Sequence, residues 1–460
     1  MCGIVGVSGV EGAARIASLG LYALQHRGQE AAGLSAVDDA GVARVEKVTG
    51  QVAESVDDAV LRGLPGRTAL GHTRYSTAGG SGLINAQPVL ARYRAGDLCL
   101  VHNGNLTNAT TLRAELVNAG AIFQGTIDSE VIVHLIARSR AATPDEQIRD
   151  ALMQCEGAFS VLITIGDTLY AARDPRGFRP LVLGRLNGGM VAASETCALD
   201  LVGAKFSCDV GPGEVLKIRG TEVTQLEPLP PAPRQAPCIF ELVYFARPDS
   251  RIFGASVDRA RRAFGRKLAE EHPAPGADCV FSVPDSSNSA ALGFSEASGI
   301  PLELGLIRNH YVGRTFIHPE QAGRDFKVRV KYNPVREVIQ GKRVVVVDDS
   351  LVRGTTSRGL IQLIREAGAK EVHFRVASPP VTNPCFYGID MPTKEELIGS
   401  HMTVEQIRSH LNVDSLGYLS LDGMQNAVAA FGPFCNACFS GEYTAPLVDL
   451  GAGLETTAAC

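Results

Sequence analysis

The chain lacks any run of eighteen apolar residues, so a membrane-spanning helix is not expected. It also lacks an excess of positive charge. Its 44 lysines and arginines face 49 aspartates and glutamates, a formal net charge of -5, which leaves no electrostatic footprint for nucleic acid or an anionic membrane. The opening MCGIVGVSGV has neither the basic start nor the long apolar core of a secretory leader. Internal repeats and low-complexity blocks are missing too. These absences point to a cytoplasmic protein, whose 11 cysteines are better read as buried thiols, nucleophiles or metal ligands than as a disulfide framework. At 460 residues the chain is long enough for two or more domains, each with its own core.

The sharpest break in composition is EPLPPAPRQAP, Glu227 to Pro237, whose prolines cannot continue a helix or a central strand. It predicts a domain linker. Before it, glycine-rich turns separate β-like runs at Asp97 to Val101 and Ala158 to Ile165, with helical patterns near Gly12 to Leu24 and Asp128 to Arg138. That half reads as a layered α+β domain. After the linker, Cys279 to Val283 and Val344 to Val347 alternate with helical segments, as βα units of a mainly parallel sheet do. Residues 439–460 lose periodicity and read as a loose tail.

Residues 344–359, VVVVDDSLVRGTTSRG, carry the densest chemistry. Val344 to Val347 suit a strand covered on both faces, and Asp348 and Asp349 emerge at its carboxyl end. Ligands of open α/β sheets bind there, so the acid pair is placed to hold ribose hydroxyls. Gly354, Thr355, Thr356 and Ser357 precede the helical pattern Leu360, Ile361, Leu363 and Ile364, so their N–H groups and hydroxyls face a phosphate at a helix start. The string resembles the phosphoribosyl-pyrophosphate loop of type I phosphoribosyltransferases. That resemblance implies a sugar donor held by Asp348, Asp349, Arg353, Gly354, Thr355, Thr356 and Ser357, and leaves the acceptor open.

At the other end, Cys2 follows Met1 directly. Removing Met1 would free an α-amine of pKa about 7.7 to 8.0, able to take the thiol proton without a histidine. CGIVG, HRGQEAAG (26–33), GHTRYSTAG (71–79), NAQP (85–88), HNGNL (102–106) and Asp128-Ser129-Glu130 occur in the order found in class II glutamine amidotransferases, which this half resembles. The resemblance implies Cys2 as nucleophile and an oxyanion hole from the Asn103 side chain and the Gly104 N–H. Arg74 would hold the glutamine α-carboxylate through its planar fork, and Asp128 the α-ammonium.

Joined, the halves resemble the glutamine phosphoribosylpyrophosphate amidotransferase family. The implied architecture is an N-terminal-nucleophile αββα sandwich (2–230), a type I phosphoribosyltransferase parallel-sheet α/β domain (238–434), and a C-terminal cysteine pair and tail (435–460). The implied reaction is the first committed step of purine synthesis. Ammonia from glutamine displaces pyrophosphate from the sugar, with purine nucleotides as feedback inhibitors and a homotetramer as the assembly. Residues 311–334 match the family's mobile loop, with Arg314 and Lys331 reaching the pyrophosphate. Tyr332 stands where leucine is expected, which touches packing rather than charge. Ser286 would join Asp348 and Asp349 at one Mg2+ per subunit, or serve as a helix N-cap. Two rivals are a glutaminase feeding another synthase, which the phosphoribosyl loop disfavours, and a sugar-pyrophosphate-binding regulator without turnover, which intact residues at both sites disfavour.

Cys435 and Cys438 form a C-x-x-C, with Cys238 just after the linker and Cys385 after an Asn-Pro turn. Four thiolates suit tetrahedral zinc or an iron–sulfur cluster, and a C-x-x-C also suits a redox pair. The match to the family's iron–sulfur branch implies one [4Fe-4S] cluster per subunit at these four positions, with a structural role. That branch often carries an acidic propeptide; with Cys2 second in the chain, an aminopeptidase would suffice. Cys99, Cys155, Cys197, Cys208, Cys279 and Cys460 read as core or tail thiols.

Overall fold

In the computed structural model the described residues are 1–75, 80, 82–309, 324–391 and 393–450. The first half is built on two antiparallel sheets. A seven-stranded sheet has Gly3–Ser8 near its centre, between Gly189–Ala193 and Thr68–Arg74. A six-stranded sheet contains Gly96–Leu106, paired to Gly157–Ile165. Alternation along the strands fills the space between them: Ile4, Leu70, Leu183 and Ala192 from one sheet meet Val101, Leu162, Leu169 and Ile218 from the other. The alternate residues face helices. Val5 and Val7 pack on Ala13–Ala23 and Thr196–Val202, while Leu98, Leu100 and Val161 pack on Ala109–Asn118, Ser129–Arg138 and Pro144–Leu152. The half is thus an αββα sandwich.

The strand expected over Asp97 to Val101 runs on to Leu106. His102-Asn103-Gly104-Asn105 stays in the ladder, Gly104 opposite Phe159, so this Asn-Gly is not a turn.

The second half has four parallel strands, ordered Cys279–Ser282, Arg343–Asp348, Glu371–Val376 and Ser415–Tyr418. Val345 and Val347 face helices Val257–Glu271 and Asn288–Ser298; Val344 and Val346 face Thr355–Glu366 and Val404–Leu411. Burial on both faces is why the strand is an unbroken valine run.

The proline-rich linker lies on the first half, with Leu229 and Ala236 buried and their N–H groups donating to Gly213 and Arg176 carbonyls. Beyond it a buried charge network ties the halves together. Arg27 donates to Glu195 and, at 2.7 Å, to Glu241, which Arg179 also meets at 3.5 Å. All four side chains are 0 % exposed. Burial works against the Glu195 carboxylate, but Arg27 and His26 outweigh it and hold it well below the usual range. Arg247 N–H and Ser250 Oγ, from the second half, also donate to Glu195, at 2.9 and 2.7 Å.

Where it is described, at 439–450, the expected loose tail is tied to the first half. Asp449 accepts from Thr110 N–H, Thr111 N–H and Thr111 Oγ at 2.8 to 3.0 Å, capping Ala109–Asn118 from a distant part of the chain. Thr107 Oγ donates to Pro446 O at 2.6 Å. A segment that caps other elements instead of forming its own has no periodicity to read. Cys99, Cys155, Cys197 and Cys279 are buried, whereas Cys208 is exposed on an edge strand, a correction to its reading as a core thiol. Cys460 lies outside the described residues. Among those residues no helix is long and apolar enough to cross a membrane.

Candidate active site

Cys2 precedes the strand Gly3–Ser8, at the end of the sheet where neighbouring Thr68–Arg74 delivers Arg74. Its N–H donates to Asn103 Oδ1 at 3.2 Å, and its thiol approaches Tyr75 O at 3.6 Å. Asn103 comes from the other sheet, is 0 % exposed, and has no partner for Nδ2. A buried amide donor left unmet costs about 1–3 kcal/mol, so this group awaits an acceptor. Next to it Gly104 has φ +153°, and a Cβ there would lie 2.0 Å from Ala158 O. Only glycine fits.

Arg74 and Asp128 are both buried. Arg74 Nη1 donates to Asn85 O at 2.5 Å and Nη2 to Gly80 O at 3.2 Å. Asp128 Oδ2 accepts Leu106 N–H at 3.0 Å, and Ser129 Oγ donates to Oδ1 at 3.3 Å. Burial raises the proton affinity of Asp128, but His102 and the backbone N–H groups of Leu106 and Ser129 outweigh it, keeping the carboxyl below its ordinary value. Gln87, unassigned from the sequence, braces this corner: it accepts His102 N–H at 2.7 Å and donates to Ser129 Oγ at 3.0 Å.

The second constellation stands at the carboxyl end of the parallel sheet. Asp348 ends its strand and Asp349 follows. Burial, and for Asp348 then the neighbouring Asp349, raises the proton affinity of both. Such a pair is short of positive charge, which fits a divalent cation. Ser286 hydrogen-bonds Asp349, and Ser287, not singled out from the sequence, reaches both acids, 3.2 Å to Asp348 and 3.3 Å to Asp349. Two adjacent serines look alike in one dimension; only the backbone path selects the buried one. Gly354, at φ +74°, opens the helix Thr355–Glu366, which no side chain caps. Its first-turn N–H groups therefore suit an anion. Thr355 and Thr356 are exposed and Ser357 is buried, while exposed Arg353 pairs with Glu396 at 3.4 Å.

Lys331 ends the helix Arg324–Lys331, its ammonium 5.0 Å from the Tyr332 ring centroid and within electrostatic reach of Asp348 and Asp349. Tyr332 is buried and donates to Pro284 O at 3.3 Å. Arg314 lies outside the described residues. Burial first, then the charges of Asp349 and Asp348, pushes the Tyr244 hydroxyl up to about 12.

Cys238, Cys385, Cys435 and Cys438 are free thiols from three segments, and the first three lie within electrostatic reach of Cys438. Cys435 pairs with Cys238 through a backbone bridge, and Cys438 O accepts the N–H groups of Thr382 and Asn383. Burial first, then the charges of the other three, raises the proton affinity of Cys438. Three buried thiols and one half-buried thiol, Cys385, are soft donors whose chemistry fits a metal group. As the side chains stand, no three His, Cys, Asp or Glu groups among the described residues gather at ligating spacing.

Fold and site define the class: a glutamine amidotransferase half followed by an α/β half of phosphoribosyltransferase type. The glutamine amidotransferase domain family matches residues 72–201. The amidophosphoribosyltransferase of Bacillus subtilis strain 168 is 48% identical over 448 residues, 96% of this chain and 94% of that protein. The chloroplastic amidophosphoribosyltransferase of Vigna aconitifolia is 51% identical over 445 residues, 96% and 91% of the two chains. A solved structure of the glutamine phosphoribosylpyrophosphate amidotransferase from B. subtilis, complexed with ADP and GMP, superposes with a TM-score of 0.91 at 46% identity, covering 97% of this chain and 98% of that one. The chain belongs to the amidophosphoribosyltransferase family, enzymes of the first committed step of purine biosynthesis.

Proposed function

We propose that Cys2 hydrolyses glutamine and that the ammonia passes within the chain to phosphoribosyl pyrophosphate at Asp348 and Asp349, giving 5-phosphoribosylamine, glutamate and pyrophosphate. The observation that carries this reading is the unpartnered Asn103 Nδ2, buried beside Cys2. Loss of Met1 frees the Cys2 α-amine, which takes the thiol proton; the thiolate then attacks the glutamine amide carbon. Asn103 Nδ2 and Gly104 N–H receive the oxyanion, while Arg74 and Asp128 hold the α-carboxylate and α-ammonium. Ammonia leaves with the proton, and water cleaves the thioester to release glutamate. At the second constellation Asp348 and Asp349 hold the ribose hydroxyls, residues 353–357 hold the 5-phosphate, and Lys331 and Arg314 are the residues assigned to the pyrophosphate. Ammonia attacks the anomeric carbon as pyrophosphate departs.

The domain bounds we assign are 2–230 for the glutaminase, 238–434 for the transferase and 435–460 for the cysteine pair and tail. One Mg2+ per subunit would be held by Asp348, Asp349 and Ser286 and would offset charge on the departing pyrophosphate. One [4Fe-4S] cluster per subunit would be held by Cys238, Cys385, Cys435 and Cys438 and would supply folding energy at the junction of three segments. We place the enzyme in the cytoplasm as a homotetramer inhibited by purine nucleotides, in keeping with the ADP and GMP of the Bacillus complex.

Asn103→Ala tests the glutaminase reading. Its kcat for glutamine hydrolysis should fall about 10²–10³-fold with KM little changed and ammonia-dependent synthesis retained; an unchanged kcat overturns it. Protein purified without oxygen should carry about four irons per chain. Zinc without iron would refute the cluster.

A further inference from the structure

We infer that the loop Phe386-Tyr387-Gly388, supplied by the second half of the chain, completes the oxyanion site of the first half, and that Asn105 is the positioning residue that fastens one to the other. This rests on the reading of Asn103 and Gly104 as oxyanion donors. Asn105 follows them on the strand Gly96–Leu106, and its Nδ2 donates to Phe386 O at 3.0 Å across 281 residues of sequence. Gly388, two residues further along that loop, lies directly against the Gly104 peptide. At its φ of +98° a Cβ would stand 2.8 Å from both C and O of Gly104 and 3.1 Å from its Cα. Nothing larger than glycine enters without pushing that peptide. Gly104 is bounded as closely by its own half, where its Cβ would meet Ala158 O at 2.0 Å.

The loop that presses on Gly104 is itself held firmly. Arg179, 0 % exposed, donates through Nε and Nη2 to Tyr387 O at 3.0 and 2.5 Å. The Tyr387 ring stacks on Phe178 with centroids 4.3 Å apart. Its hydroxyl donates to Ala445 O at 3.0 Å and accepts Ala445 N–H at 2.9 Å. Arg179 reaches Glu241 as well, so the loop joins the buried charge network between the halves.

The physical need is plain. Glycine is the most permissive backbone residue, so an oxyanion donor carried on Gly104 is aimed only as well as its surroundings aim it. Oxyanion donors act through placement at 2.7–3.1 Å from an atom that exists only in the transition state, and a supporting shell has to hold them within about 0.5 Å. The first half supplies one wall through Ala158. Gly388 supplies the other contact, and Asn105 sets how far the loop approaches. The inference therefore assigns Asn105 no contact with glutamine, only control of the donor beside it.

The test uses full-length Asn105→Ala and Gly388→Ala. Each should lower kcat for glutamine hydrolysis about 10- to 100-fold while leaving the glutamine KM and ammonia-dependent synthesis within about twofold. Alkylation of Cys2 by iodoacetamide, a displacement that passes through no oxyanion, should keep its parental rate. If both variants retain parental kcat while Asn103→Ala loses it, the inference falls and the oxyanion reading stands. If Asn103→Ala also retains kcat, the oxyanion reading itself falls. Loss of ammonia-dependent synthesis or of alkylation together with glutamine hydrolysis would mark a general collapse and would overturn the specific positioning role.

Discussion

Cys2→Ala is expected to abolish glutamine-dependent synthesis, by about 10³-fold or more, and to leave synthesis from free ammonia within about twofold. The asymmetry follows from where the thiol sits. Cys2 contacts Asn103 and Tyr75 in the sandwich half, and among the described residues no hydrogen bond links its side chain to the acid pair at the end of the parallel sheet. On the proposed mechanism, removing the Cys2 thiol deletes the covalent path from the glutamine amide, and the proposed oxyanion donors have nothing left to stabilise. Alanine is smaller than cysteine and the side chain is only partly buried, so little strain or cavity is introduced. Measuring pyrophosphate release with saturating glutamine and then with ammonium salt separates the two activities. Equal loss of both, in protein that keeps its folded spectrum, would mean that the two sites do not work independently.

Asp349→Asn should do the opposite. Phosphoribosylamine formation from either nitrogen source should fall about 30- to 5,000-fold, while hydrolysis of glutamine alone at Cys2 persists. Deleting one charge from a buried, hydrogen-bonded set costs about 2–5 kcal/mol, and each 1.36 kcal/mol is tenfold in rate. Asp349 accepts from Ser287 at 3.3 Å and from Ser350 at 2.7 Å, so the amide keeps the shape and loses the charge. With the proton affinity of Asp348 raised by burial and by its neighbour, the pair works as a unit, and neutralising one member removes half of what a cation or the ribose hydroxyls would meet. The measurement is initial velocity against sugar pyrophosphate, at fixed magnesium, from both nitrogen sources. Parental velocity with ammonia would remove Asp349 from the donor site.

Much of the candidate site is local in sequence and was legible there. Asp348, Asp349 and residues 354–357 form one strand, loop and helix start, and a single turn of chain places them together. Asn103 and Gly104 are likewise adjacent. What escaped is what depends on which of two neighbours faces inward. Ser287 contacts both acids, whereas Ser286, the one singled out in sequence, reaches Asp349. The strand that carries Asn103 continues five residues past the apolar stretch that signalled it, because its polar end is paired and buried by another strand. The tail after Cys438 shows no pattern because its groups satisfy donors elsewhere, Asp449 at the helix Ala109–Asn118 above all.

By itself the sequence determined the fold class of each half, the order of their motifs and the residues proposed to carry the chemistry, because strand periodicity and motif spacing are properties of neighbours along the chain. Only the tertiary structure decided how the halves meet. Arg27, Arg179, Glu195 and Glu241 lose all contact with water together, and four such charges are tolerable in the interior only as partners of one another. Gly388 rests on Gly104 across 284 positions of sequence, a distance at which no periodicity or spacing carries information. Close packing between remote segments is set by shape and burial in three dimensions.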